Sequence, residues 1–233
     1  MKLRVKSLIA ATALATLSAT CAYAQATEYG TWNDGSSTGN QLGSVIGNSQ
    51  VVTQTQWSNL NGSIDTVAGD AAIQGTAAGN LMDITTMNNT AVKNSQIVGA
   101  GAAIGSNINM DVTNVWGSVG IQNQVMCNGV SVSTDPTYAS TKNYQECNAS
   151  DPASQINSNI SNIAGNAAVQ GSALGNSFEA DSNAPNMPVW NKQINNSVSA
   201  STVNTNIYNV AGSTSVSSSA IGNTGQVIHY TTN

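Results

Sequence analysis

The amino-acid sequence predicts an all-β chain, a β-solenoid of the parallel β-helix kind built from about four repeats of about 48 residues. Three observations predict it. Residues 60–80 (LNGSIDTVAGDAAIQGTAAGN), 156–176 (INSNISNIAGNAAVQGSALGN) and 203–223 (VNTNIYNVAGSTSVSSSAIGN) align without a gap. No long window carries the i, i+3, i+4, i+7 spacing of an amphipathic helix; the chain alternates runs of β-formers with Gly and Asn instead. Gly-Asn pairs also recur at one phase, at Gly79-Asn80, Gly175-Asn176 and Gly222-Asn223.

The elements follow in order. Residues 1–24 read as a secretory signal, with Lys2, Arg4 and Lys6 before a short apolar run (8–17) and an A-x-A site at Ala22-Tyr23-Ala24. The run is too short for a membrane span. Cys21 follows Ser18-Ala19-Thr20, which departs from a lipoprotein signal. Residues 25–59 form a polar, Gly-rich lead or cap. Within it, Ser44-Val45-Ile46-Gly47-Asn48 matches the end of the last repeat, Ser219 to Asn223, as the tail of a degenerate unit. Residues 60–233 are the repeat body. Strands are expected at 50–57, 81–86, 95–98 and 108–115.

The repeat starts at 60, 156 and 203 leave room for a copy near 108. It is present in decayed form, with Ile108, Asn109, Val112, Val115, Gly117, Ile121 and Asn128 in phase. Residues 127–154 read as an insert in that copy, and 183–188 (NAPNMP) as a smaller bulge. Each Gly-Asn pair is expected at a turn, because both residues tolerate a left-handed backbone. Stacked coils would then bring the Asn side chains into a hydrogen-bonded ladder. At about 20–25 residues per coil, one repeat would make two coils. A stacked all-β sandwich is the alternative; a propeller would have few blades and none of their signatures.

Charge and cysteine content narrow the function. Beyond residue 24 only Lys93, Lys142 and Lys192 are basic, against 11 acidic residues, a net charge of −8 with no arginine. That composition argues against nucleic acid, whose recognition needs basic groups to release counterions, and against anionic membranes. With 7% of the chain charged, polarity rests on Asn, Ser, Thr and Gln, and little opposes strand-to-strand association. Cys127 and Cys147 are expected to form a disulfide in an oxidising compartment.

Catalytic signals are sparse. His229 is the single histidine, near the C-terminus, and no G-x-S-x-G elbow is present. Asp83 and Glu179 occupy equivalent repeat positions and invite comparison with glycosidase carboxylates, but the body lacks the basic groups that accompany such clefts. Asp65, Asp70, Asp83 and Asp111 offer calcium-type oxygen ligands without a calcium-loop spacing. No enzyme activity, metal or cofactor is expected. Trp57, Trp116 and Trp190 do not follow the repeat spacing, so partial burial at coil ends is expected rather than a sugar-binding stripe.

Val67-Ala68-Gly69 with Thr76-Ala77-Ala78-Gly79-Asn80, and Val210-Ala211-Gly212 with Ser219-Ala220-Ile221-Gly222-Asn223, resemble the repeats of alphaproteobacterial holdfast-anchor fibre proteins. Those are secreted adhesin subunits that tie a polysaccharide holdfast to the cell envelope. Gln74-Gly75 and Gly79-Asn80 are similar in residue type to curlin-type fibre repeats, with a different spacing. The resemblance implies a secreted or outer-surface bacterial protein, structural and adhesive, whose partners are sibling subunits in a fibre, other surface proteins, and polysaccharide. The alternative is a monomeric β-helix that binds or cleaves polysaccharide.

Overall fold

A computed structural model describes residues 44–87, 89–135, 139–149 and 152–230. The described residues wind through four coils of three strands each, and equivalent strands stack in parallel into three four-stranded sheets. Sheet A holds β1 (Ser44–Val52), β4 (Thr90–Val98), β7 (Ala139–Cys147) and β10 (Val189–Asn195). Sheet B holds β2 (Gln56–Val67), β5 (Ile104–Val115), β8 (Ala153–Ile163) and β11 (Ala200–Val210). Sheet C holds β3 (Ala71–Thr86), β6 (Val119–Thr134), β9 (Ala167–Ser182) and β12 (Thr214–His229). The chain is therefore an all-β parallel solenoid of four repeats.

The sequence repeat is the strand register. Leu60 pairs with Ile108, Ile108 with Ile156 and Ile156 with Val203. The decayed second copy is in phase, and each aliphatic column runs up the body as one stripe. One repeat is a single coil, not two. The expected short coil fails because the strands are long, up to 16 residues in sheet C.

Such a coil would enclose more space than small aliphatic side chains fill, and the strand order resolves this by flattening it. The first half of the sheet C strands packs on sheet B, where Ile73, Ile121 and Val169 meet Ile108, Val112, Ile156 and Ile160. The second half packs on sheet A, where Val130, Val132, Phe178 and Ala180 meet Val92. Between them a third cluster gathers Val98, Ile104, Val125, Cys127 and Cys147. The core is thin, as the one-phenylalanine composition suggests.

Several boundaries change. The signal segment 1–24 and residues 25–43 lie outside the described residues. The rest of the expected lead, 44–59, is β1 and the start of β2, already part of the first coil. The predicted strand at 50–57 straddles the corner at 53–55 between them, a corner that no Gly, Pro or Asn marks. Gly47-Asn48 is not a copy of Gly222-Asn223, because β1 pairs with β4 in sheet A. Residues 127–154 are not an insert. They supply the end of β6, β7 and the start of β8, and Asn128 and Ser154 pair at the same offsets as their neighbours. The stretch looks foreign because its residue types differ, while its length does not. Nor does 183–188 bulge: Ser182 pairs with Thr134 and Val189 with Thr141, so this connection is as long as the one below it.

Left-handed backbone does occur, at a position the motif did not single out. Thr66, Asn114, Asn162 and Asn209 have φ between 54° and 58°, one residue before the end of each sheet B strand. Asn suits this conformation and a β-branched Thr does not. Thr66→Asn is expected to raise the melting temperature by about 2–4 °C, since relieving roughly 1 kcal/mol of strain shifts a domain of this size by that much. A lower melting temperature on thermal denaturation would remove the strain argument.

Candidate functional site

The Gly-Asn pairs lie inside β3, β9 and β12 rather than at chain turns. In β3 and β9 the inward side of the strand changes there: odd-numbered positions face inward up to Gly79 or Gly175, and even-numbered ones from Asn80 or Asn176 onward. The pair is thus a corner within a continuous strand. Its glycine is required by space, since none of these glycines has a left-handed φ. A Cβ on Gly175 would stand 2.1 Å from the carbonyl oxygen of Gly222 and 2.8 Å from Asn195 Nδ2. On Gly79 it would stand 2.6 Å from the Cys127 carbonyl oxygen. Gly222, at the last coil, meets only Asn195 Nδ2, at 3.1 Å. The chain's actual bends between sheets B and C fall at the Ala-Gly of three repeats and at Trp116-Gly117 of the second, where Gly69, Gly117, Gly165 and Gly212 join by backbone hydrogen bonds from coil to coil.

The expected Asn ladder is present, with Asn80, Asn128 and Asn176 buried and Asn223 exposed at the last coil. Asn80 Nδ2 donates to Asn128 Oδ1 (2.8 Å), Asn128 to Asn176 (2.7 Å) and Asn176 to Asn223 (2.7 Å). The same amides reach across the interior to the carbonyls of Ile97, Glu146 and Ile194. Two further ladders escaped the sequence reading. Asn48, Asn94, Asn143 and Asn191 form one, at 2.6–2.7 Å, and Gln50, Gln96, Gln145 and Gln193 another, at 2.9–3.0 Å. Their signal is an N-x-Q triplet at 48–50, 94–96, 143–145 and 191–193. Each ladder has a direction. These two inward Asn ladders donate from the first coil toward the last, and the Gln ladder donates the opposite way.

The outer faces differ. Sheet B carries an exposed asparagine grid, with Asn109 donating to Asn61, Asn157 to Asn109 and Asn204 to Asn157. A parallel row links Asn206 to Asn159 and Asn159 to Asp111. An open groove of about 630 Å³ runs over these two rows. Asn114, Thr113 and Thr66 donate to Asp65 and lower its pKa. On sheet C, Asp83 and Glu179 share a column with Ser131 between them, both exposed. They sit on one flat face rather than opposing each other across a cleft. Asp181 accepts from Ser133.

Sheet A's outer face is different again. Lys93 on β4, Lys142 on β7 and Lys192 on β10 all point outward there, beside Tyr144, Glu146 and Trp190. Lys142 Nζ lies 5.1 Å from the Trp190 ring centre and Lys192 Nζ 5.6 Å from that of Tyr144. Tyr144 Oη and Asn148 Nδ2 donate to Glu146, and these bonds, with nearby Lys192, lower its pKa.

Cys127 and Cys147 form the expected disulfide, joining sheet C of the second coil to sheet A of the third inside the core. His229 is taken up by the Ala184 carbonyl oxygen, 2.5 Å from its Nε2. The tryptophans are not partly buried at coil ends: Trp57, Trp116 and Trp190 are all exposed, Trp116 by 75%. Among the described residues no cluster of three or more His, Cys, Asp or Glu side chains forms, and no helix is long and apolar enough to cross a membrane. Neither a protein-family model, nor a characterised protein, nor a solved structure matches this chain.

The two ends of the body complete the site. Along one inward column Ile73, Ile121 and Val169 are buried, whereas Val216 on β12 is 51% exposed. Val227 is likewise exposed above buried Ala180. No described element covers β10, β11 and β12, or β1, β2 and β3 on the opposite end.

Proposed function

We propose that this chain is a secreted bacterial surface protein, structural and adhesive, whose copies stack end to end into a fibre. One observation carries the reading: among the described residues, both ends present uncovered parallel strands of matching length. The strands of the last coil have 7, 11 and 16 residues and those of the first 9, 12 and 16. Solenoids that stay monomeric need capping units with a polar outer face, and open strand edges are templates for pairing. Ladder direction agrees. In a head-to-tail stack, Asn223 Nδ2 would point at Asn80 Oδ1 of the next copy, and Asn191 at Asn48, so donors meet acceptors. A head-to-head pair would set like groups against each other. This is a heterologous contact, the kind that builds filaments.

The leader-like segment 1–24, the disulfide and the likeness to holdfast-anchor repeats support a secreted, outer-surface location. The fibre reading assigns the chain no catalytic role and no cofactor.

Negative-stain electron microscopy of residues 25–233 tests the reading. Filaments one subunit wide are expected within a day. Val216→Lys with Val227→Lys should leave the far-ultraviolet spectrum native and abolish the filaments, because charge on an open edge opposes pairing. Persistent single particles of the unsubstituted chain would overturn the fibre and favour a monomeric polysaccharide-binding or polysaccharide-cleaving β-helix.

A further inference from the structure

The three lysines beyond the leader are spread over a hundred residues of sequence, yet the solenoid brings all of them to one face. Lys93 and Lys142 are register partners on adjacent strands of sheet A, and Trp190 is the next member of their column. One column over, Tyr144 is the register partner of Lys192. On β7 and β10 rings and ammonium groups therefore form a checkerboard, Lys142 beside Trp190 and Tyr144 beside Lys192, with Lys93 extending the lysine column; strands lie about 4.8 Å apart and columns about 7 Å apart. Glu146 is the one carboxylate on this face among the described residues. Asp65 and Asp111 project from sheet B, and Asp83, Glu179 and Asp181 lie on sheet C. On a chain whose net charge beyond residue 24 is −8, sheet A is, among the described residues, the one outer face with more cations than anions.

We infer that the outer face of sheet A binds an acidic polysaccharide, through Lys93, Lys142 and Lys192 with Trp190 and Tyr144 as stacking platforms. Charge complementarity selects an anion, and the two aromatic rings select a ligand that has flat apolar faces as well as charge. A sugar chain with carboxylates at intervals supplies both. Nucleic acid fits less well: its dense phosphates call for many cations and arginine forks, and the acidic faces B and C would repel its flanks. The ammonium–ring contacts at Trp190 and Tyr144 lie at an exposed surface, where they are weak. A sugar ring can thus replace the ammonium over the aromatic face while its carboxylate keeps the lysine. The face runs along the side of the body, so the inference does not depend on end-to-end stacking, and a fibre would repeat the site along its length.

Affinity electrophoresis in native gels containing alginate tests this, with dextran and polyphosphate gels for comparison. The unsubstituted chain should be retarded by alginate at low salt, not by dextran, and the retardation should vanish near about 0.5 M salt as screening shortens the reach of the charges. The triple variant Lys93→Gln, Lys142→Gln, Lys192→Gln should lose the retardation, and Trp190→Ala should weaken binding at least about three-fold. All four side chains point outward, and an unchanged melting temperature checks that the fold is intact. The salt series on the unsubstituted chain needs no variant. Absence of retardation, or a triple variant retarded like its parent, would overturn the inference. Equal retardation by polyphosphate, or an inert Trp190→Ala, would overturn the polysaccharide assignment and leave a patch of charge alone. Filaments without alginate binding would refute this site and leave the fibre standing.

Discussion

Gly175→Val should lower the melting temperature by about 6–12 °C, the effect of overpacking by roughly 3 kcal/mol in a domain of this size. The added Cβ would lie 2.1 Å from the Gly222 carbonyl oxygen, which belongs to the backbone of β12 and cannot swing aside as a flexible side-chain tip can. Gly120→Val is the matched control. Gly120 sits on β6 with nothing within 4 Å of its missing Cβ, and a β-branched residue there should be neutral or slightly stabilising. Gly175→Asn separates the two reasons for the glycine. A left-handed backbone would tolerate Asn; a close approach rejects it as firmly as Val. Melting of Gly175→Asn at the parent temperature would therefore refute the close-approach account, and unchanged melting of Gly175→Val would remove the corner altogether.

The same distinction explains what the sequence discloses. Periodicity is a relation between distant letters, and in a solenoid it is also the register. Hence Leu60, Ile108, Ile156 and Val203 announce four repeats, though not that each is a single coil, and Asn80, Asn128, Asn176 and Asn223 a ladder, before any strand is placed. What hides is which way a polar residue faces. Asn94, Gln96, Asn143 and Gln145 are buried, yet in a sequence of low charge Asn and Gln read as surface or turn. With those positions taken as outside, the strands look short, one repeat seems to hold two coils, and Gly-Asn seems to end a strand that in fact continues through it. Residues 127–154 mislead for a related reason. Lys142, Tyr144 and Glu146 break the pattern because they belong to an outer face, where stacking constrains the letters least. The lysine cluster was equally invisible, because Lys93, Lys142 and Lys192 become neighbours only once the register is known.

Asn128→Asp tests whether the buried ladder holds the body together through its direction. The substitution conserves shape and exchanges the donating Nδ2 for an oxygen. Asn128 is fully buried, and that nitrogen serves two carbonyl oxygens, of Glu146 at 3.0 Å and of Asn176 at 2.7 Å. An ionised carboxylate there would face both with no proton to offer. Leaving buried polar partners unmet costs about 1–3 kcal/mol each, and a buried charge costs more. A loss of about 4 kcal/mol or more at neutral pH is expected, or at least about 8 °C in melting temperature. The loss should depend on pH. Burial and the two facing oxygens raise the folded-state pKa of the introduced carboxyl above its unfolded value of about 3.9. Between those two values the folded chain holds more protons than the unfolded one, so stability relative to the parent falls as pH rises through the window. Below it, the protonated carboxyl donates one hydrogen bond and recovers part of the deficit. Asn206→Asp, on an exposed ladder of sheet B where Asp111 already serves as an acceptor, should change stability by less than about 1 kcal/mol at any pH. Equal losses at the two sites, or a loss at Asn128 that ignores pH, would mean that the interior amides fill space and that their hydrogen bonds do not set the stability of the stack.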